Sequence, residues 1–161
     1  MTLLSKAFYQ FPFSFDPQPL LEELAQVSDT EWQDNPQGFF GIESLILVSN
    51  SGKDSHSTYG RMQACQRLEK LPKISALLSI FDAPLGATRI MRLAPSAKVP
   101  KHVDLHYYWK HRFRIHLVLD TDPSAIFGCR NKIQHLPAGQ VWVSDSWSPH
   151  FVENNSEKDR I

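Results

Sequence analysis

The sequence predicts a mainly β chain with helices flanking its N-terminal part, the strands forming a sandwich or barrel. Three observations lead there. The 161 residues include 11 prolines and 11% aromatic but only 21% charged side chains, a mixture that favours short strands joined by turns over a helix bundle. From Thr88 onward, strand-length apolar runs recur between turn signals at Pro95, Asp122-Pro123, Pro137-Ala138-Gly139 and Ser148-Pro149, the spacing of an all-β sandwich or barrel. Helical periodicity is confined to the first half. The length fits one domain, 1–161, with helical support over about 1–82 and a barrel core over about 87–161.

Tyr9, Phe11, Phe13 and Phe15 alternate and read as an edge strand interrupted by Pro12. A helix follows, with Asp16 as cap, Pro17 at its first position and Leu20, Leu21, Leu24 and Val27 on one face. Ser28 to Gly38 is polar and loop-like, Ile42 to Val48 is a β-branched and aliphatic strand, and Asn50 to Gly60 is a Ser/Gly-rich loop. Between Arg61 and Phe81 the spacing predicts two helical stretches, one carrying Met62, Cys65 and Leu68, the other Ile74, Leu77, Leu78 and Phe81, with a break at Leu71-Pro72. Strands are then expected near 88–94, 97–103, 112–120, 125–128, 132–135, 140–145 and 149–153.

Seventeen basic and 17 acidic side chains cancel. That balance provides no electrostatic footprint for nucleic acid or an anionic membrane surface. No apolar run reaches the roughly 18 residues of a membrane span, and the N-terminus lacks the order of a signal peptide. Cys65 and Cys129 stand in no zinc-knuckle or paired spacing, so a reducing, cytoplasmic setting is expected.

The chemistry concentrates in three places. In Arg112 to Asp120 the odd positions are apolar while Arg112, Arg114 and His116 occupy even ones, so one face is expected to be core and the other cationic. That cationic face is either a solvated edge or an anion site inside a barrel. Upstream, His102 and Asp104 lie two apart on an extended stretch and present an imidazole and a carboxylate to the same side. A surface pair is the commoner meaning of such a spacing. Downstream comes His150, and two histidines with one carboxylate make the facial triad suited to non-haem Fe(II). Ten residues further on, Arg160 offers a fork for a carboxylate.

With these residues in that order, the chain resembles the Fe(II)/2-oxoglutarate dioxygenases of the aspartyl/asparaginyl β-hydroxylase type, and among them the bacterial free-proline hydroxylases. The likeness is carried by Arg89 to Leu93, Pro100 to Asp104, Arg114 to Thr121, and Gly139 to Trp142 running on to His150. The resemblance implies a double-stranded β-helix, the jelly-roll barrel of cupins. It implies Fe(II) on His102, Asp104 and His150, 2-oxoglutarate on Arg160 with Arg114 and His116 lining the same pocket, and dioxygen as oxidant. The substrate implied is a small amino acid or an aspartyl/asparaginyl residue of a peptide. In the family the position of Arg160 begins another strand, and here only Ile161 follows. A barrel lacking its last strand, with the arginine on a fraying end, is one expectation; an edge completed by a second chain, as in a homodimer, is the other.

Arg92 and Trp109 are candidate substrate contacts, Trp109 within an aromatic stretch from Leu105 to His111 that is either a lid or ordinary packing. Asp145 either accepts a hydrogen bond from a ligand imidazole or closes a turn. His56 and His135 have no partner at a telling spacing and read as structural or exposed. Trp142 reads as packing, and both cysteines as buried thiols. The rival function is a non-catalytic, cupin-like metal-binding or sensor module, which would not need the arginine clamp.

Overall fold

The computed structural model describes residues 4–161. Eleven strands form three antiparallel sheets, in the orders β1-β10-β7, β6-β11-β8-β9 and β2-β3-β4, with β5 paired to the free side of β3. The strands are β1 (Phe8–Ser14), β2 (Gln33–Asp34), β3 (Ile42–Asn50), β4 (Met62–Ala64), β5 (Thr88–Leu93), β6 (Lys98–His102), β7 (Arg114–Leu117), β8 (Ile126–Cys129), β9 (Lys132–Gln134), β10 (Gln140–Ser144) and β11 (His150–Glu153). Two helices, α1 (Gln18–Leu24) and α2 (Pro72–Leu78), lie behind them. The arrangement is jelly-roll-like, although the described strands do not close into one hydrogen-bonded ring.

Three apolar clusters give the layering. Leu20 and Leu24 of α1, with Ile74, Leu77 and Leu78 of α2, pack against Leu45, Leu47 and Val48 of β3, Ile90 of β5 and Leu119. Each fully buried leucine there stabilises the fold by roughly 2 kcal/mol. Ile42, Leu93 and Ala97 join Val99 and Val152 between the β3–β5 sheet and the β6–β11 sheet. Val118, Phe127, Leu136 and Trp142 do the same between the β10 and β8 sheets, with Phe8 against them. The site therefore sits between two sheets, and the helices cover the outer face of one.

The N-terminal part is less helical than expected. It supplies β1 to β10 and β3 to β5, so the support extends the sheets as well as backing them. Met62 to Ala64 is a strand on β3, not the first turn of a helix, because pairing with Val48 to Asn50 satisfies its backbone. The register of β1 against β10 shifts between Gln10 and Ser14, around Pro12, which has no amide to give a ladder. Pro17 occupies the cap position of α1, while Asp16 accepts from Gln18 N at 3.0 Å.

Arg112 to Asp120 also departs from expectation. Phe113 is 62% and Ile115 37% exposed, while Arg114 and His116 turn toward the sheet-to-sheet interior, so the cationic face is the inner one at this end of β7. Farther along, Val118 and Leu119 are both buried. The chain's last residues insert between the two edges: Arg160 exchanges backbone hydrogen bonds with Leu93 at 2.9 Å each way, and Ile161 bonds Leu119 and Asp120. Arg160 is thus held at its backbone by Leu93. Among the described residues no helix is long and apolar enough to cross a membrane.

Candidate metal centre

His102 closes β6 and His150 opens β11, and the two are direct partners across the ladder. Their rings lie 4.2 Å apart. Asp104 follows two residues after His102, its amide donating to Ser146 O at 3.0 Å, which fixes the chain as it leaves the strand. The three side chains offer ligand atoms that all lie within 4.8 Å of one another. His102 Nε2 is 3.8 Å from Asp104 Oδ1 and His150 Nε2 is 3.9 Å from Asp104 Oδ2.

Backbone carbonyls set both tautomers. His102 Nδ1 donates to Pro100 O at 2.8 Å and His150 Nδ1 donates to Ser148 O at 3.0 Å, so each imidazole turns Nε2 toward the cluster. His150 Nε2 is buried without a hydrogen-bond partner, and Asp104 Oδ2, also buried, has only its ion pair with Arg114. Buried polar atoms are rarely left so. Burial holds the His150 pKa below its usual value, with the carbonyl of Ser148 opposing, which favours the neutral, metal-binding form. Two imidazoles and a carboxylate converging in this way fit Fe(II) or a similar divalent ion.

The other expected residues gather around this point, with one exception. Arg114 Nη2 lies 2.9 Å from Asp104 Oδ2 and its guanidinium stacks 4.3 Å from the Trp109 ring. Burial lowers the Arg114 pKa and Asp104 counters it. His116 Nε2 shares a 3.0 Å hydrogen bond with Ser144 Oγ, and its ring meets Phe127 edge-on at 4.9 Å. Burial first, then the charges of Arg114, Arg160 and His150, push its pKa down to about 3. Burial alone pushes Arg160 down to about 10, so it stays cationic at neutral pH. Arg92 is the exception. It is bound to Glu43 at 2.8 Å and Asp29 at 3.1 Å and stacks on Trp32 at 4.4 Å, on the helix-covered face away from the cluster.

Several secondary readings change. Asp145 does not reach an imidazole: it is fully buried and takes hydrogen bonds from Arg130 Nε at 3.0 Å and Ser148 Oγ at 2.6 Å. It braces the turn that carries His150. The stretch after Asp104 is tied down by Trp147 Nε1 donating to Trp109 O at 3.1 Å and by the Tyr108 hydroxyl accepting from Ala87 N. Its outer edge, His106 and Tyr107, meets Tyr59. His135 is structural, bonded to Ala125 O, and Trp142 packs in the core. Sequence reasoning gave Arg89 no site role, although it lies on the opposite face of β5 from Arg92 and its Nη1 stands 3.1 Å from His56 Nδ1. Arg89 sits three residues before Arg92, and the pleat of β5 decides which of the two faces inward.

Comparison with known proteins agrees with the geometry. The chain is 27% identical over 155 residues to L-proline cis-4-hydroxylase of Rhizobium meliloti (strain 1021), covering 91% of this chain and 55% of that protein. It is 24% identical over 151 residues to L-proline cis-3-hydroxylase 1 of Streptomyces sp, covering 87% and 51%. The chain thus spans about half the length of the curated relatives it matches. Its fold is similar to that of an oxidoreductase of the 2OG-Fe(II) oxygenase family from Burkholderia pseudomallei, with a TM-score of 0.66 at 13% identity over 96% of this chain and 80% of that one. The aspartyl/asparaginyl beta-hydroxylase family matches over residues 23–161, a span that includes all three ligand candidates, and the chain belongs to that family.

Proposed function

We propose that the protein is an Fe(II)- and 2-oxoglutarate-dependent dioxygenase that hydroxylates an amino acid, either a free proline-like molecule or an aspartyl or asparaginyl residue of a peptide. The convergence of ligand atoms from His102, Asp104 and His150, with His150 Nε2 buried and unpartnered, carries this reading. These residues would hold the metal and leave three coordination positions for other ligands. When bound, iron with 2-oxoglutarate and dioxygen supplies the oxidation, yielding succinate, carbon dioxide and a hydroxylated product.

The protein's own work is binding and orientation. Arg160, cationic and held at its backbone, would grip the distal carboxylate of 2-oxoglutarate in a bidentate fork. His116 stays neutral and, through Ser144, contributes a hydrogen-bonding wall without adding charge. Arg114 orients the Asp104 carboxylate and is itself braced on Trp109. Phe127, stacked on His150, would exclude water from behind the cluster. Trp109 is retained as a substrate-side wall, whereas Arg92 is already committed to two carboxylates.

Two buried free thiols, Cys65 and Cys129, support a cytoplasmic setting. A homodimer formed through the outer edge of β7 belongs to the same proposal, and light scattering tests it. Balanced charge gives no reason to add nucleic acid or a membrane surface as partner. The enzyme reading is tested by incubating the protein with Fe(II), ascorbate, 2-oxoglutarate and a panel of amino acids. Succinate release above an Asp104→Ala control is expected; stoichiometric iron with no succinate would favour the metal-binding module.

A further inference from the structure

Resting on the metal-binding reading of the cluster, we propose that Arg130 is a positioning residue of that centre. It holds the turn over 145–149, which orients two of the three candidate ligands, Asp104 and His150, and it ties that turn to the N-terminal segment.

The turn joins β10 to β11, and the contacts that steady both ligands come from it. Ser148 O accepts from His150 Nδ1 at 3.0 Å, and Ser146 O accepts from the Asp104 amide at 3.0 Å. Trp147 Nε1 donates to Trp109 O at 3.1 Å, and the Trp109 ring backs Arg114, which pairs with the Asp104 carboxylate. His102 is held differently, its Nδ1 donating to Pro100 O on its own strand. A carbonyl that accepts from an imidazole fixes its tautomer and ring orientation. Whatever fixes the turn therefore fixes His150 and Asp104, and leaves His102 to β6.

Arg130 stands in the two-residue loop between Cys129 and Lys132 of the β8–β9 hairpin. Its amide donates to Pro149 O at 2.9 Å, and its Nε donates to Asp145 Oδ2 at 3.0 Å and to Ser148 Oγ at 3.2 Å. The same guanidinium reaches the N-terminal segment, where Nη1 donates to Ser5 O at 3.1 Å and Nη2 to Leu4 O at 2.5 Å. Ala7 O closes the connection by accepting from the Asp145 amide at 3.0 Å. The Asp145 side chain is fully buried, and among the described residues Arg130 is the one cation paired with it. A lysine carries the same charge on a single nitrogen and cannot span the turn and both carbonyls at once. The backbone points the same way. Arg130 holds a φ of 56° in a hairpin loop position that favours glycine. Such strain persists where the surroundings over-determine it, and here the guanidinium contacts do so.

The test is Co(II) titration of the full chain, read by its ligand-field bands, beside proton–nitrogen NMR spectra of metal-free protein isotope-labelled in its histidines. Arg130→Lys should lower Co(II) affinity by about tenfold or more, the scale of outer-sphere losses, and shift the bands. In the metal-free spectra the His150 ring signals should move and those of His102 stay. Arg92→Lys is the control: it loosens the ion pairs with Glu43 and Asp29 away from the cluster, so it should lower the urea midpoint while Co(II) affinity and both rings remain as in wild type. The double variant Arg130→Gly with Asp145→Asn relaxes the loop and leaves no buried charge unpaired, which guards against misfolding of the lysine variant. It should bind Co(II) no better than Arg130→Lys. Wild-type Co(II) affinity in either Arg130 variant, equal movement of the His102 and His150 signals, or an equal Co(II) loss in Arg92→Lys overturns the positioning role. Failure of the wild-type protein to bind Co(II) overturns the metal-binding reading itself.

Discussion

His102 and His150 are partners across one antiparallel ladder, from two strands whose sequence positions are 48 residues apart, with rings 4.2 Å from each other. A rigid ladder brings the two imidazoles together, and Asp104, anchored at Ser146, completes the set from the same chain exit. Backbone pairing thus brings the three candidate ligands together.

Removing either histidine should abolish tight metal binding. His150→Ala or His102→Ala is expected to lower Co(II) affinity on the order of 100-fold or more, since even outer-sphere losses cost 10–100-fold. Titration followed by the Co(II) ligand-field bands reads it, and an unchanged spectrum in either variant would remove that residue from the ligand set.

Arg160→Ala should separate co-substrate from metal. The variant keeps wild-type Co(II) affinity, while its KM for 2-oxoglutarate rises at least about 30-fold, the loss of one charged pair worth about 2 kcal/mol or more. Arg160→Lys restores the charge but not the fork and should recover only part. Equal iron deficiency in Arg160→Ala and His150→Ala would refute the division of roles.

Asp145 should be a stability residue with an effect on metal affinity. It is buried and paired with Arg130, which also caps the carbonyls of Leu4 and Ser5, and it fixes Ser148, whose carbonyl holds His150. Asp145→Ala leaves that network without its acceptor and is expected to cost about 3 kcal/mol in urea unfolding. Ser148→Ala keeps the carbonyl and should cost about 1 kcal/mol.

Gly128 lies opposite Phe151, the residue after His150. A Cβ there would stand 1.9 Å from the Phe151 ring. Gly128→Ala must displace that ring and is expected to destabilise by about 1–3 kcal/mol and to weaken metal binding. Double substitution Gly128→Ala with Phe151→Ala should remove the clash, and non-additive unfolding energies would show the coupling.

Acid stability should report His116. Its folded pKa of about 3 lies below the usual 6.5, so between those values the unfolded chain binds the extra proton. Stability contributed by the neutral ring is complete above about pH 6.5 and is lost as pH falls toward 3. His116→Gln should flatten the slope of unfolding free energy across that window. Parallel slopes in wild type and variant would mean that His116 titrates normally.

Much of this protein is determined locally. Alternation and turn residues marked all seven C-terminal strands to within a few residues, although β7 is shorter than expected, because short-period patterns and prolines act on the backbone where they stand. The spacing of His102 and Asp104 placed both on one side of the chain for the same reason. Periodicity failed at Met62 to Ala64, where the decisive partner is β3, and it misassigned the faces of Phe113 to His116. An apolar residue turns inward only if another layer covers it, and no sequence window records that helices back β3 and leave Phe113 open.

The roles of the remaining residues were decided by contacts between distant segments. Arg92 and Arg89 stand on one strand, but Glu43 and Asp29 claim the first while the second reaches His56, 33 residues away in sequence. The sequence by itself determined which chemistry is present: two imidazoles, one carboxylate and a set of arginines at family spacing. Tertiary structure alone decided which arginines are free to bind an anion, because pairing depends on which carboxylates the fold brings within about 4 Å, and sequence distance carries no information about that.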